Sequence, residues 1–191
     1  EPYIQATRAQ VPDAAEKIVF DRFHVMGHIG KAVDTVRKQE HRGLMASGDE
    51  TLKGSKYLWL YSRENVPEGR RDEFAALMRQ ELKVGRAWAL KEALRGLWHY
   101  VYPASGWKFW KRWYFWATHS RLEPIRKAAE TIRRHIANIV TYYQHPVTNA
   151  MSEGLNSQIQ KIKSMACGFR NTEHFKIAIY FHCGGLDLYP C

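Results

Sequence analysis

From Asn149 to Lys163 the chain carries two unlike stripes, and a helix is the regular element that keeps them apart. Leu155, Ile159, Ile162 and Ala166 recur three or four positions apart, the spacing that lines one face of an α-helix. They predict a buried stripe. Glu153, Asn156, Gln160 and Lys163 recur in the same way on another face. That face opens on a carboxylate and ends on a cation. It suits a metal ion at one end and a phosphate backbone at the other, and a solvated helix face accounts for the same spacing.

Composition narrows the partners. A chain of 191 residues with 45% hydrophobic content is long enough for one packed domain, with or without an insertion, and too apolar for global disorder. The net charge of +10 favours nucleic acid over an anionic membrane surface. No apolar run approaches the roughly 18 residues of a membrane span, and no signal peptide is visible. Cys167, Cys183 and Cys191 are odd in number and lack metal-ligand spacing, which fits a reducing cytoplasm. The first residue is Glu1 rather than Met, so an upstream stretch is expected.

The opening segment reads as a strand–helix unit. Pro2 opens a short helix to about Gln10, broken by Pro12 and Asp13. Lys17 to Asp21 is an apolar run closed by an acid, the pattern of a buried strand with a carboxylate at its C-terminal end. Open α/β sheets place their sites at such ends; an N-cap for the next helix is the other reading of Asp21. That helix is expected from about His24 to His41, with Ile29, Val33 and Val36 on its apolar face and Gly27 and Gly30 weakening its start. His24 and His28 lie one turn apart, but no clustered third ligand supports a zinc site. Lys56 to Ser62 is aromatic-rich, bounded by Gly54 and by Pro67, and reads as a second strand. Two strands do not make a stable sheet by themselves.

Beyond Pro67 the pattern becomes helical. One long helix is expected from Asp72, bearing Phe74, Leu77 and Met78, through Leu90, Leu94, Leu97 and Trp98, loosened at Gly85. Tyr102, Pro103 and Gly106 mark a turn. Trp107 to Trp116 is aromatic almost all round, which predicts burial between helices; aromatics interleaved with cations also suit a base-stacking platform. Pro124 opens a helix whose inner face is Ile125, Ala128, Ile132, Ile136, Ile139 and Tyr143. Arg126, Lys127, Arg133 and Arg134 lie mainly outside that stripe, as phosphate contacts or as solvated charges. Thr148 or Asn149 is expected to cap the two-faced helix, Cys167 and Gly168 to end it, and Asn171 to cap a last helix bearing Phe175, Ile179 and Tyr180, closed by Gly184 and Gly185.

Several blocks, taken together and in order, resemble a known family. Ile18-Val19-Phe20-Asp21-Arg22-Phe23-His24-Val25, Leu52-Lys53-Gly54-Ser55-Lys56-Tyr57-Leu58-Trp59-Leu60, Thr148-Asn149-Ala150-Met151-Ser152-Glu153-Gly154-Leu155-Asn156-Ser157 and Ile162-Lys163-Ser164-Met165-Ala166-Cys167-Gly168-Phe169-Arg170-Asn171 look like the DDE transposases of bacterial insertion sequences, above all the ISL3 family. The resemblance covers nearly the whole chain. It implies an α/β, predominantly helical fold: a partial ribonuclease H-like core interrupted by an all-helical insertion. Residues 1–66 are the first part of that core, 67–146 the insertion and 147–191 the C-terminal helices of the core.

The resemblance carries the second acid of the catalytic triad onto Asp21 and the final acid onto Glu153. The family's first Asp precedes a segment like Pro2-Tyr3-Ile4, so it is expected upstream of Glu1; Asp13 follows that segment and is a poor substitute. Zinc-finger-like and helix-turn-helix regions are likewise expected upstream. A fragment without the first Asp is expected to support little or no transposition. The chemistry implied is DNA cleavage and strand transfer with two divalent cations, magnesium or manganese, held roughly 4 Å apart by carboxylates. Asp21 and Glu153 are the metal ligands. Lys161, Lys163 and Arg170 are expected at DNA phosphates, with Asn156 and Gln160 orienting the backbone. The partner is double-stranded DNA of the element's ends and target, the setting a bacterial cytoplasm at the nucleoid, and the full-length parent could dimerise.

Two other classes stay open. A basic helical binding module without chemistry predicts affinity that falls with salt and ignores magnesium. A nuclease on the same fold is a third reading, since a carboxylate metal site does not fix the reaction.

Overall fold

The computed structural model describes residues 2–146 and 150–184; the side chains of residues 2, 3, 15 and 150–153 lie outside that description. The chain divides into two compact units, residues 1–147 and 148–191. No described helix is long and apolar enough to cross a membrane.

In the first unit, α1 (Pro2–Gln10) and α2 (Ala14–Lys17) are separated at Asp13, which takes a left-handed backbone. An extended link then leads into α3 (Arg22–Ala46). This helix runs without a break through Gly27 and Gly30 and is longer at both ends than its apolar spacing predicts. Tertiary packing supplies what local propensity lacks: α3 buries Val25, Ile29, Ala32, Val33 and Val36. The rest of the unit is α4 (Lys56–Leu60), α5 (Arg71–Met78), α6 (Lys83–Arg95), α7 (Pro103–Thr118) and α8 (Glu123–Val140). α3 packs along both α6 and α8, and α7 lies on α8. Inside, Trp59 meets Phe74 edge-on at 5.1 Å and Phe74 meets Trp88 edge-on at 5.0 Å, the geometry that the charge distribution of aromatic rings favours. The indole of Trp113 donates to the Leu90 carbonyl at 2.8 Å.

Both expected strands need correction, because no strand occurs among the described residues. Ile18 to Asp21 is extended, but its partner is a helix: the Phe20 N–H donates to the Asn138 carbonyl at 3.1 Å, and Asn138 Nδ2 donates to the Ile18 carbonyl at 3.2 Å. Lys56–Leu60 is helical. An apolar run of that length has no period that separates strand from buried helix, and here a distant residue decides. Lys91 on α6 donates to the carbonyls of Trp59, Leu60 and Tyr61 at 3.2, 3.1 and 2.6 Å, placing a cation at the C-terminal end of α4.

The single long helix expected from Asp72 is two, α5 and α6, with the break ahead of Lys83 rather than at Gly85. The Glu40 carboxylate, from α3, accepts from the Lys83 and Val84 N–H groups at 2.7 Å each. It takes up donors that the first turn of α6 leaves open. Gly106 is inside α7 rather than in a turn. The Tyr143 ring lies against it so closely that a Cβ there would come within 2.4 Å of the ring. The Tyr143 hydroxyl donates to the Leu97 carbonyl. α8 buries Ile125, Ala128, Ile132, Ile136 and Ile139, as their spacing predicts, and Tyr143 is half-buried in the turn beyond it.

The second unit is a hairpin of α9 (Ala150–Met165) and α10 (Thr172–Cys183). α9 ends in a Schellman turn: the Gly168 N–H donates to the Lys163 carbonyl at 2.9 Å and the Cys167 N–H to Ser164 at 3.1 Å, with both residues at positive φ. Asn171 caps α10, accepting from the Glu173 N–H at 2.8 Å, and Gly184 follows its last turn. The expected cap at Thr148 or Asn149 and the closing Gly185 lie outside the described residues.

Candidate functional site

Asp21 closes the extended link and caps α3. Its Oδ1 accepts from the Phe23 N–H at 2.6 Å, and the first turn of a 25-residue helix lends the carboxylate favourable dipole charge. Both readings of this residue therefore meet in one place: an acid at the end of an extended segment that is also an N-cap. Its neighbours fix it. Phe20 packs on His135 of α8 with ring centroids 4.9 Å apart, Asn138 holds the backbone on either side of Val19, and the Arg22 guanidinium lies 5.6 Å from the centre of the Trp98 ring. Carboxylate oxygens of this kind are the ligands that hard cations take.

In the second unit, Asn156, Gln160 and Lys161 share one open face of α9 with Ser157, Ser164 and Met165. Lys163 is exposed on α9, outside the set that lines this face, and Arg170 is exposed in the turn before α10. Among the described residues no acid lies within ion-pair distance of Lys161, Lys163 or Arg170. The expected apolar stripe needs correction. Ile162 is buried and Ile159 half-buried, but Leu155 and Ala166 are exposed. Within this unit α10 is the one described helix beside α9, and a single neighbour covers only part of such a stripe.

Glu153 belongs to α9, but its side chain lies outside the described residues, and Cys191 lies outside them as well. Asp21 and Glu153 sit in different compact units. Among the described residues no three His, Cys, Asp or Glu side chains form a group able to hold a metal ion; His24 and His28 are both exposed on α3. The oxygen chemistry of Asp21 suits magnesium or manganese better than zinc.

Three of the four cations outside the α8 stripe are matched to acids, while Arg134 donates to the Thr131 hydroxyl at 3.2 Å. Arg126 and Lys127 lie 3.2 and 3.6 Å from Glu123, and Arg133 lies 2.9 Å from Glu130. Glu130 also accepts from the Tyr114 hydroxyl. These contacts hold the Glu130 carboxyl below the usual carboxylate range. Pairing of this kind makes α8 a poor track for phosphates. Asn138, buried between Ile136 and Ile139, is the positioning residue that sequence reasoning missed. Its one signal was an amide among apolar neighbours, which demands a partner.

The described residues thus set a half-buried acid at the end of a pinned link in one unit and a polar face of α9 in the other. A family model described as "Transposase", of the ISL3 DDE type, matches residues 1–179, and the chain belongs to the ISL3 family of transposases. It is 29% identical over 175 residues to the transposase for insertion sequence element IS1001 of Bordetella parapertussis, which covers 90% of this chain and 43% of that protein. It is 28% identical over 122 residues to the transposase for insertion sequence element IS1557 of Mycobacterium tuberculosis, strain CDC 1551 / Oshkosh, covering 64% of this chain and 27% of that one. The strain H37Rv counterpart matches to the same extent. The chain thus spans less than half the length of these relatives. No solved structure matches it significantly.

Proposed function

We propose that this chain supplies two acids of a DDE triad, Asp21 and Glu153, to an insertion-sequence transposase that cuts the element's ends and joins them to target DNA. The observation that carries the reading is the family match, which spans both acids. Bound magnesium or manganese would activate water or a terminal hydroxyl and stabilise the leaving oxygen. Asp21, fixed by its cap and by Asn138, offers a hard oxygen ligand; Glu153 is the second. Asn156, Gln160 and Lys161 on their shared face, with Lys163 and Arg170, take duplex phosphates. The same reading treats residues 67–146 as a helical insertion between two parts of a ribonuclease H-like core, 1–66 and 147–191, and is compatible with a homodimer of the full-length parent.

The test is nicking of duplex DNA bearing the element's ends by the full-length parent. Glu153→Gln is expected to abolish magnesium-dependent nicking while leaving DNA binding intact. Undiminished nicking by that variant overturns the assignment. A parent that binds with steep salt dependence but never nicks, at any magnesium concentration, is a binding module instead.

A further inference from the structure

The outward face of α7 has no part in that reading. Lys108, Arg112, Phe115, Trp116 and His119 recur at helical spacing and are all exposed, on the side away from the buried Trp110 and Trp113. Phe115 is 64% exposed and Trp116 46%. A single exposed aromatic is ordinary; two adjoining ones set among cations call for a partner. The Phe115 and His119 rings stack with centroids 3.9 Å apart, and His119 Nδ1 lies 2.8 Å from the Phe115 carbonyl oxygen, so a flat aromatic pair is held ready at the end of the helix.

The charge of this face is one-sided. No Asp or Glu occurs between Glu92 and Glu123. Among the described residues no acid lies within ion-pair distance of Lys108, Lys111 or Arg112. The contrast with Arg126, Lys127 and Arg133 of α8, which are paired with acids, marks α7 as a surface with unspent positive charge.

We propose that this face binds an unpaired stretch of DNA, with bases stacked on Phe115 and Trp116 and phosphates against Lys108, Lys111 and Arg112. Stacking on aromatic side chains with cations beside the backbone is how single strands are held without sequence preference. A duplex engages only the cations, because its base faces already cover one another, and leaves both rings in water. A second copy of this chain brings the same cations together across a two-fold axis. The inference rests on the reading that the chain handles DNA, but it needs neither metal nor catalysis.

Fluorescence anisotropy on the 191-residue chain tests it, using a labelled thymidine strand and a hairpin duplex of matching charge, both without magnesium. The Phe115→Ala/Trp116→Ala double variant is expected to weaken single-strand binding roughly tenfold or more and to change duplex binding by less than about twofold. Trp116→Leu, which keeps apolar bulk and loses the flat ring, is expected to weaken single-strand binding selectively too. Lys108→Gln/Arg112→Gln, remote from the core, is expected to lower the single-strand salt slope by about 0.7 per cation. Unchanged single-strand affinity, equal loss on both probes, or a change in molecular mass by light scattering overturns the proposal. Nicking that survives Glu153→Gln removes the catalytic reading and leaves this one standing.

Discussion

Asn138 grips the segment that delivers Asp21 at two points, its Nδ2 donating to the Ile18 carbonyl at 3.2 Å and its own carbonyl accepting from the Phe20 N–H at 3.1 Å. One grip is by side chain and one by backbone, both from a residue buried on α8, so the acid is positioned from outside its own stretch of sequence. Asn138→Leu keeps the volume roughly and removes the amide donor. It is expected to cost about 1–3 kcal/mol, read by urea unfolding. Hydrogen exchange at the Phe20 amide should quicken at the same time, as the segment loosens.

The cap at Asp21 separates stability from chemistry. Asn is as good an N-cap as Asp, so Asp21→Asn is expected to leave the melting curve nearly unchanged while removing metal-dependent nicking from the full-length parent. Asp21→Ala loses both, with a stability cost of about 1 kcal/mol. Equal destabilisation by Asn and Ala means the charge, not the cap, is what α3 needs.

Lys91 gives a pH signature. Burial pushes its ammonium down to about 8, against the pull of Glu92 beside it, whose carboxylate lies 3.5 Å away; Arg95 and Glu64 also face it. An unfolded lysine titrates near about 10.4. Between those values the unfolded chain binds more protons, so stability rises as pH climbs through that window. Lys91→Met should flatten the rise. At neutral pH the same variant is expected to be less stable by about 1–3 kcal/mol, because the Trp59 and Leu60 carbonyls lose this donor, while Tyr61 keeps the Trp88 indole at 3.1 Å. Chemical unfolding of both proteins at pH 7, 8 and 10 distinguishes the two effects.

Gly106 is a packing residue. Alanine is the better helix former by about 1 kcal/mol, yet Gly106→Ala is expected to destabilise by about 1–3 kcal/mol, because its Cβ meets the Tyr143 ring. Tyr143 cannot simply swing aside without giving up its bond to Leu97. Burial pushes the Tyr143 phenol up to about 12, and loosening by the extra methyl should bring that ionisation down. Absorbance titration of the tyrosines checks it.

What the sequence made legible follows the range of the forces involved. The inner face of α8 could be read because its apolar period is local and long; Trp107 to Trp116, aromatic almost all round, gave no such period, and the expected burial holds for Trp110 and Trp113 while Phe115 and Trp116 are exposed. The Asn171 cap and the end of α9 were visible because their chemistry sits within a few positions. The helix at Lys56–Leu60 and the division between α5 and α6 were not. Lys91 and Glu40 decide them from about thirty and forty-three residues away, and no local pattern announces a partner that distant. Asp21 was ambiguous between strand end and N-cap for a good reason, since its backbone is extended and its side chain is a cap. The cations of α8 and α7 looked alike in sequence, and only the acids brought beside Arg126, Lys127 and Arg133 tell them apart.

The grip of Asn138 on the Ile18–Asp21 link has a consequence for biosynthesis. A ribosome meets Asp21 early and Asn138 late. At bacterial elongation rates the nascent chain waits roughly 6–24 seconds between the two. Until α8 emerges, the acid can keep its cap on α3 but has nothing to aim it, so a polypeptide released before that helix is made carries the carboxylate without its bearing.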